Sequence, residues 1–89
     1  MIEVAFSSSF KRAFKKRIKN QPLKEKSFYQ KLEIFIQDLY NPQLKTHKLS
    51  GKLKDLWSFA IGYDLRVVFC FSNKDQAIFE DIGTHEEIY

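Results

Sequence analysis

Ile2, Val4 and Phe6 alternate with Glu3 and Ala5, the two-residue period of a short half-buried strand. The period then lengthens. Phe10, Phe14 and Ile18, with Ala13, recur at helical spacing while lysines and arginines fill the other positions. A serine among Ser7, Ser8 and Ser9 can cap that helix, because its hydroxyl satisfies free N–H groups of the first turn. Asn20–Gln21–Pro22 ends it and starts a second helix with proline in the tolerated first turn. Phe28, Leu32, Phe35, Ile36 and Leu39 form its apolar stripe, and Asn41–Pro42 predicts its end. Leu44–Lys54 is mostly polar and reads as a loop or a short irregular strand. Trp57, Phe59 and Ile61 alternate with Ser58 and Ala60, a strand. Gly62–Tyr63–Asp64 is turn material. Leu65–Ser72 is apolar on both faces except at Arg66, which predicts a central strand. Ser72–Asn73–Lys74–Asp75 predicts a tight hairpin turn, and Gln76–Ile82 the returning strand. The expected order is β-α-α-β-β-β: an α+β fold with a helical hairpin on one face of a mostly antiparallel sheet.

Eighty-nine residues predict a single domain over 1–89 with one hydrophobic core. With 44% apolar residues and nine phenylalanines, the chain has the material for that core. The apolar runs, such as Val67–Phe71, are far short of the roughly 20 residues of a membrane span. Ile2–Phe6 is too short for a signal peptide, so a cytoplasmic protein without a membrane partner is expected. Cys70 has no partner cysteine and reads as a buried thiol. One cysteine and two histidines are too few for a zinc site, so no metal site is expected. Charge changes the picture more. Residues 1–74 carry 15 basic and 6 acidic residues, a balance of +9, and residues 75–89 carry 5 acidic and no basic ones, a balance of −5, leaving +4. Six of the nine positions Lys11–Lys19 are Lys or Arg. Such a run is often only a solvated helix face, yet a basic small domain also favours polyanions or acidic proteins.

Arg66 is the residue that asks for an explanation. An arginine inside a strand of large apolar residues must be paired or face a cleft. A turn centred on Asn73–Lys74 would place Arg66 opposite Asp81, with His85 four residues further along. Two readings stay open: a structural Arg66–Asp81 salt bridge, or a phosphate held between the guanidinium and the imidazole. The ending "DIGTHEEIY" likewise offers Thr84–His85 as a polar cap on a last turn or His85 as a titratable group at a site.

The helical hairpin, the stretch "HKLSGKLKDLWSFAIGYDLRVVFCF" and the ending "FEDIGTHEEIY" resemble the RelE/ParE toxin superfamily of type II toxin–antitoxin systems. The "IGTH" ending is most similar to the YafQ-type mRNA interferases. The resemblance implies a RelE-like fold and an endoribonuclease that cleaves mRNA on the ribosome. The 2′-OH would attack the adjacent phosphorus without a cofactor or a metal at the scissile phosphate. It implies Arg66 as phosphate stabiliser, His85 as general acid or base and His47 as the second proton-transfer group. Lys48, Lys52 and Lys54 would hold phosphates, and Tyr89 would stack on a base or bond a phosphate. The implied partners are mRNA and a cognate antitoxin, with operator DNA reached only through the antitoxin. Glu86 and Glu87 depart from the pattern, since carboxylates repel phosphate. The alternatives are a ParE-type toxin that poisons DNA gyrase without nuclease activity, and a catalytically inert relative or binding module.

Overall fold

Ser7 ends one element and begins the next. In the computed structural model, which describes residues 1–51 and 55–88, β1 (Glu3–Phe6) passes directly into α1 (Ser8–Arg17). Phe10 N–H donates to the Ser7 side chain at 3.0 Å, the cap expected of this serine run. Phe10 and Ile18 are buried along the predicted stripe, with Ala13 and Phe14 half-buried beside them. Lys15, Lys16 and Arg17 occupy the last turn, where cations oppose the partial negative charge of the helix end. Asn20 adopts a left-handed backbone, φ 74°, and the chain reverses into α2 (Pro22–Gln37), which opens with proline as predicted.

The second helix stops four residues before Asn41. Asp38 leaves helical geometry, and Asn41 N–H donates to the Asp38 carbonyl at 3.0 Å. Asn41 instead serves the next turn, its side chain accepting from Gln43 N–H at 2.9 Å. Leu39 therefore lies beyond the helix, half-buried, while Phe28 and Phe35 are fully enclosed. The polar stretch that follows hides one core residue: Leu44, at the end of a 3₁₀ turn (Pro42–Leu44), has no exposed surface. It leads into β2 (His47–Lys48), which joins the sheet as a fifth strand.

β3 (Trp57–Ala60), β4 (Leu65–Asn73) and β5 (Gln76–Thr84) complete the sheet in the order β1-β5-β4-β3-β2. Only β1 and β5 run parallel. The α+β arrangement is the expected one, extended by β2 and by a final short helix, α3 (His85–Ile88). The core is aromatic. Phe35 of α2 stacks on Phe59 at 4.7 Å between ring centres and meets Phe69 and Phe79 edge-on at 5.0 and 5.2 Å. Phe10 and Phe28 reach Phe79 at 5.6 and 6.4 Å. Such pairs contribute about 0.5–1.5 kcal/mol each beyond the area they bury.

The β4–β5 register differs from the expected one. The turn is Lys74–Asp75, with Asn73 opposite Gln76 and the Asn73 side chain accepting from Asp75 N–H at 2.8 Å. Two extra residues then offset each other: Ser72 is unpaired on β4 and Glu80 on β5. Glu80's carbonyl, displaced by the bulge, accepts from the Ser9 hydroxyl of α1 at 2.8 Å. Arg66 consequently faces Gly83, and Asp81 faces Val68. The Arg66–Asp81 salt bridge is thus replaced by an Arg17–Asp81 pair at 3.1 Å. Cys70 is half-buried rather than enclosed. Partial burial, and secondarily the Glu80 carboxylate, push its thiol above the ordinary value.

Candidate functional site

Residues paired across a sheet share a face, and successive rows alternate between faces. The rows Trp57–Phe69–Phe79 and Phe59–Val67–Ile82 point to the helices and form the core. The alternate rows point the other way. One is Ala60–Arg66–Gly83, and the next is His47–Ser58–Val68–Asp81. Arg66 and His47 therefore share the face opposite the aromatic core. They stand two strands and two residues apart, roughly 12 Å between backbones at sheet spacing. Ser58 lies between them, fully buried, its Oγ without a hydrogen-bond partner among the described residues. Arg66 is half-buried and His47 exposed. The His47 ring bonds through Nδ1 to the Lys45 carbonyl at 2.9 Å.

β5 closes with Thr84 opposite Leu65, and His85 follows as the first residue of α3, exposed. The turn from strand to helix is fixed by a reciprocal cap. Glu87 N–H donates to Thr84 Oγ1 at 3.3 Å and Thr84 N–H donates to Glu87 Oε1 at 2.7 Å, the two arms of a capping box. The Thr84 backbone N–H holds the Glu87 carboxyl below its ordinary value of 4.5. Partial burial opposes this, while the Thr84 hydroxyl, Arg17 and Lys24 add to it.

Arg17 reaches this junction from the end of α1. Its Nη1 donates to Asp81 Oδ1 at 3.1 Å and to the Ile82 carbonyl at 2.9 Å, and its Nε lies 3.6 Å from Glu87 Oε2. Gly83 makes room for this approach. A Cβ there would fall 2.8 Å from Arg17 Nη1 and 3.0 Å from Glu87 Oε1, closer than real Cβ contacts.

The sequence model of the YafQ toxins, bacterial toxins of type II toxin–antitoxin systems, matches residues 2–89. The chain belongs to the YafQ toxin family. Solved structures agree on the fold. A metal-bound toxin from Helicobacter pylori is 24% identical, with a TM-score of 0.78 and full coverage of both chains. YafQ in the Escherichia coli DinJ–YafQ complex is 17% identical, with a TM-score of 0.73, over 100% of this chain and 99% of that one. A YoeB/ParE toxin from Agrobacterium tumefaciens is 13% identical, with a TM-score of 0.77, over 94% and 99%. No curated protein sequence matches significantly.

Within this YafQ-family toxin, Arg66 and His85 come to the same end of the β4–β5 pair. Gly83 faces Arg66, and His85 lies two residues beyond it. His47 shares the face of Arg66 but sits on the far edge strand. Lys48 pairs with Trp57, in a row that points to the helix side, so it does not join them. Lys52, Lys54 and Tyr89 lie outside the described residues. Among the described residues no group of three or more His, Cys, Asp or Glu could hold a metal ion, and no helix is long and apolar enough to cross a membrane. Sequence reasoning missed Arg17, which looked like one more member of the Lys11–Lys19 run. It also missed the role of Glu87, although Thr-x-x-Glu at 84–87 is a recognisable capping signature.

Proposed function

We propose that this toxin is an mRNA endoribonuclease in which side chains alone perform the chemistry. The observation that carries the reading is the β4–β5 register. It sets Arg66 opposite Gly83 and His85 just past the closing Leu65–Thr84 pair. Their backbones are then roughly 8 Å apart at sheet spacing, a gap suited to one phosphate. The 2′-OH loses its proton and attacks the adjacent phosphorus, the P–O5′ bond breaks, and the departing 5′ oxygen gains a proton. The products are a 2′,3′-cyclic phosphate and a 5′-OH. Arg66 offers a bidentate fork to the phosphorane oxygens, whose charge grows in the transition state. His85 transfers one of the protons, as an imidazole does near neutral pH. His47, one row away across the same face, serves the flanking RNA rather than the reacting phosphate.

One small toxin domain over residues 2–89 is suited to substrate presented by the ribosome, in the cytoplasm. The partner is a cognate antitoxin, as DinJ is for the Escherichia coli YafQ of the solved complex. The +9 balance of residues 1–74 would steer an acidic segment of it, with apolar contact supplying most of the affinity. Operator DNA is reached only through that antitoxin.

End-group analysis of mRNA cut on translating ribosomes, with and without chelator, tests the reading. Cyclic 2′,3′-phosphate and 5′-OH ends that persist in chelator are expected. Ends carrying 3′-OH and 5′-phosphate would indicate metal-activated water and overturn it. An uncut message with arrested gyrase would point to the ParE-type activity, and absence of both to an inert relative.

A further inference from the structure

The uncommitted groups of the site cluster around the junction that carries His85. Arg17 is separated from Asp81 and Ile82 by 64 and 65 positions in sequence, yet one guanidinium there bridges three elements. It meets the carboxylate of Asp81 and the carbonyl of Ile82 on β5, and the carboxylate of Glu87 on α3. β1 pairs only with Gln76–Phe79, so Asp81 and Ile82 lie beyond the end of β1 on that side of β5. The Ile82 carbonyl that accepts from Arg17 therefore replaces a ladder bond with a side-chain one.

The same carboxylate of Glu87 also closes the capping box on Thr84. Thr84 and Glu87 flank His85 on either side in sequence. Fixing both fixes where the backbone of His85 leaves the sheet. Gly83 keeps open the space that lets Arg17 and Glu87 meet.

We infer that Arg17 is a positioning residue for His85, acting through Asp81, Gly83 and Glu87 rather than touching RNA. The inference rests on the proposed role of His85 in proton transfer. Arg17 is only 22% exposed at its side chain and its donors are turned toward the carboxylates, so phosphate is not its natural partner. A planar fork is required: a lysine ammonium is a single point that cannot span Asp81, Ile82 and Glu87 together. Misplacement of a reacting group by about 1 Å costs up to roughly 10²-fold in rate.

The test uses the full chain with Arg17→Ala and Arg17→Lys, measured in two independent ways. The first is NMR, following the ring and amide chemical shifts of His85 and the hydrogen-exchange protection of the amides of 84–88. The second is cleavage of mRNA on translating ribosomes, resolved into kcat and KM. Arg17→Ala should move the His85 chemical shifts, lower protection across α3, and reduce kcat by about 10- to 100-fold with KM little changed. Arg17→Lys should recover only part of each. Unaltered His85 chemical shifts and unaltered α3 protection in a folded Arg17→Ala protein would overturn the clamp. So would a loss confined to KM, which would make Arg17 a phosphate contact. If His85→Gln cleaves at full rate while Arg17→Ala perturbs the NMR signals, the clamp stands and the role of His85 fails. The two ideas can therefore be separated. Should Arg17→Ala unfold, Glu87→Gln keeps the acceptor for Thr84 while losing the charge that faces Arg17. It should reproduce a weaker version of the same NMR changes, and their absence would count against the clamp equally.

Discussion

The two histidines of this chain stand on very different foundations. His85 follows a nine-residue strand, next to a central one, and starts a helix tied back by Thr84, Glu87 and Arg17. His47 sits on a two-residue strand at the sheet edge, its ring bonded to a carbonyl two residues back. The bonds at the first junction cross 64 and 65 positions of sequence and fall apart only if the tertiary fold does. The bond at the second is local and survives or fails with one loop. A group that must meet a reacting atom within a fraction of an ångström belongs on the first kind of support. A group that follows a flexible polyanion can tolerate the second. The contrast supports the proposal that His85 transfers the proton, with His47 as a contact to the RNA strand.

The largest expected effect tests that assignment directly. His85→Gln should reduce mRNA cleavage by roughly 10²–10⁴-fold, the usual general acid–base contribution, with melting temperature nearly unchanged because the side chain is exposed. His47→Gln should cost less than about fivefold, the worth of one exposed contact. Equal losses in both would break the comparison and move His47 to the reacting phosphate.

The support itself can be weakened next. Thr84→Ala removes the hydroxyl that accepts from Glu87 N–H, and a lost helix cap costs about 1 kcal/mol. For a domain of this size that corresponds to a fall of about 4–8 °C in melting temperature. Calorimetry of Thr84→Ala beside Thr46→Ala, which removes the hydroxyl just before His47 that donates to the Leu39 carbonyl, would show whether the two ends differ as described. A larger fall for Thr46→Ala, on the His47 side, would reverse the ranking.

The periodic elements were legible because their signals are local. Ser7 capped where the serine run pointed, Phe10, Ile18, Phe28 and Phe35 went inside, and the strand around Val67 took the centre of the sheet. What escaped was non-local. The bulges at Ser72 and Glu80 cancel, and it is the turn at Lys74–Asp75, one residue later than the sequence suggests, that moves Arg66 from Asp81 to Gly83. Arg17 was hidden among like charges, since nothing within its own helix distinguishes it from Lys15 or Lys16. Leu44 looked like loop material because burial by a 3₁₀ turn leaves no period to read. Of the candidate site, the sequence therefore disclosed residue types and order, while the pairing that arranges them needed the folded sheet.

The smallest expected effect concerns pH and again separates the two ends. Glu87 has its carboxyl held below its ordinary value of 4.5, first by the Thr84 backbone N–H. A group depressed on folding binds fewer protons in the native state than in the unfolded one at mildly acid pH. Its contribution to stability is therefore fully present above about 4.5 and is lost as pH falls through the depressed folded value. The carboxylate is 41% exposed, so water and salt screen much of the effect. Urea unfolding as pH is lowered from neutral should show the parent losing stability in this acid window. Glu87→Gln, which has no proton to gain there, should lose slightly less. The α3 amides should lose protection over the same interval, ahead of the amides of β2 and β3 around His47, because protonating Glu87 loosens both the cap and the Arg17 contact. A parent and variant with superimposable acid profiles would mean that the Thr84–Glu87 bond does not depend on charge, and that the His85 junction is held by Asp81 and Arg17 alone.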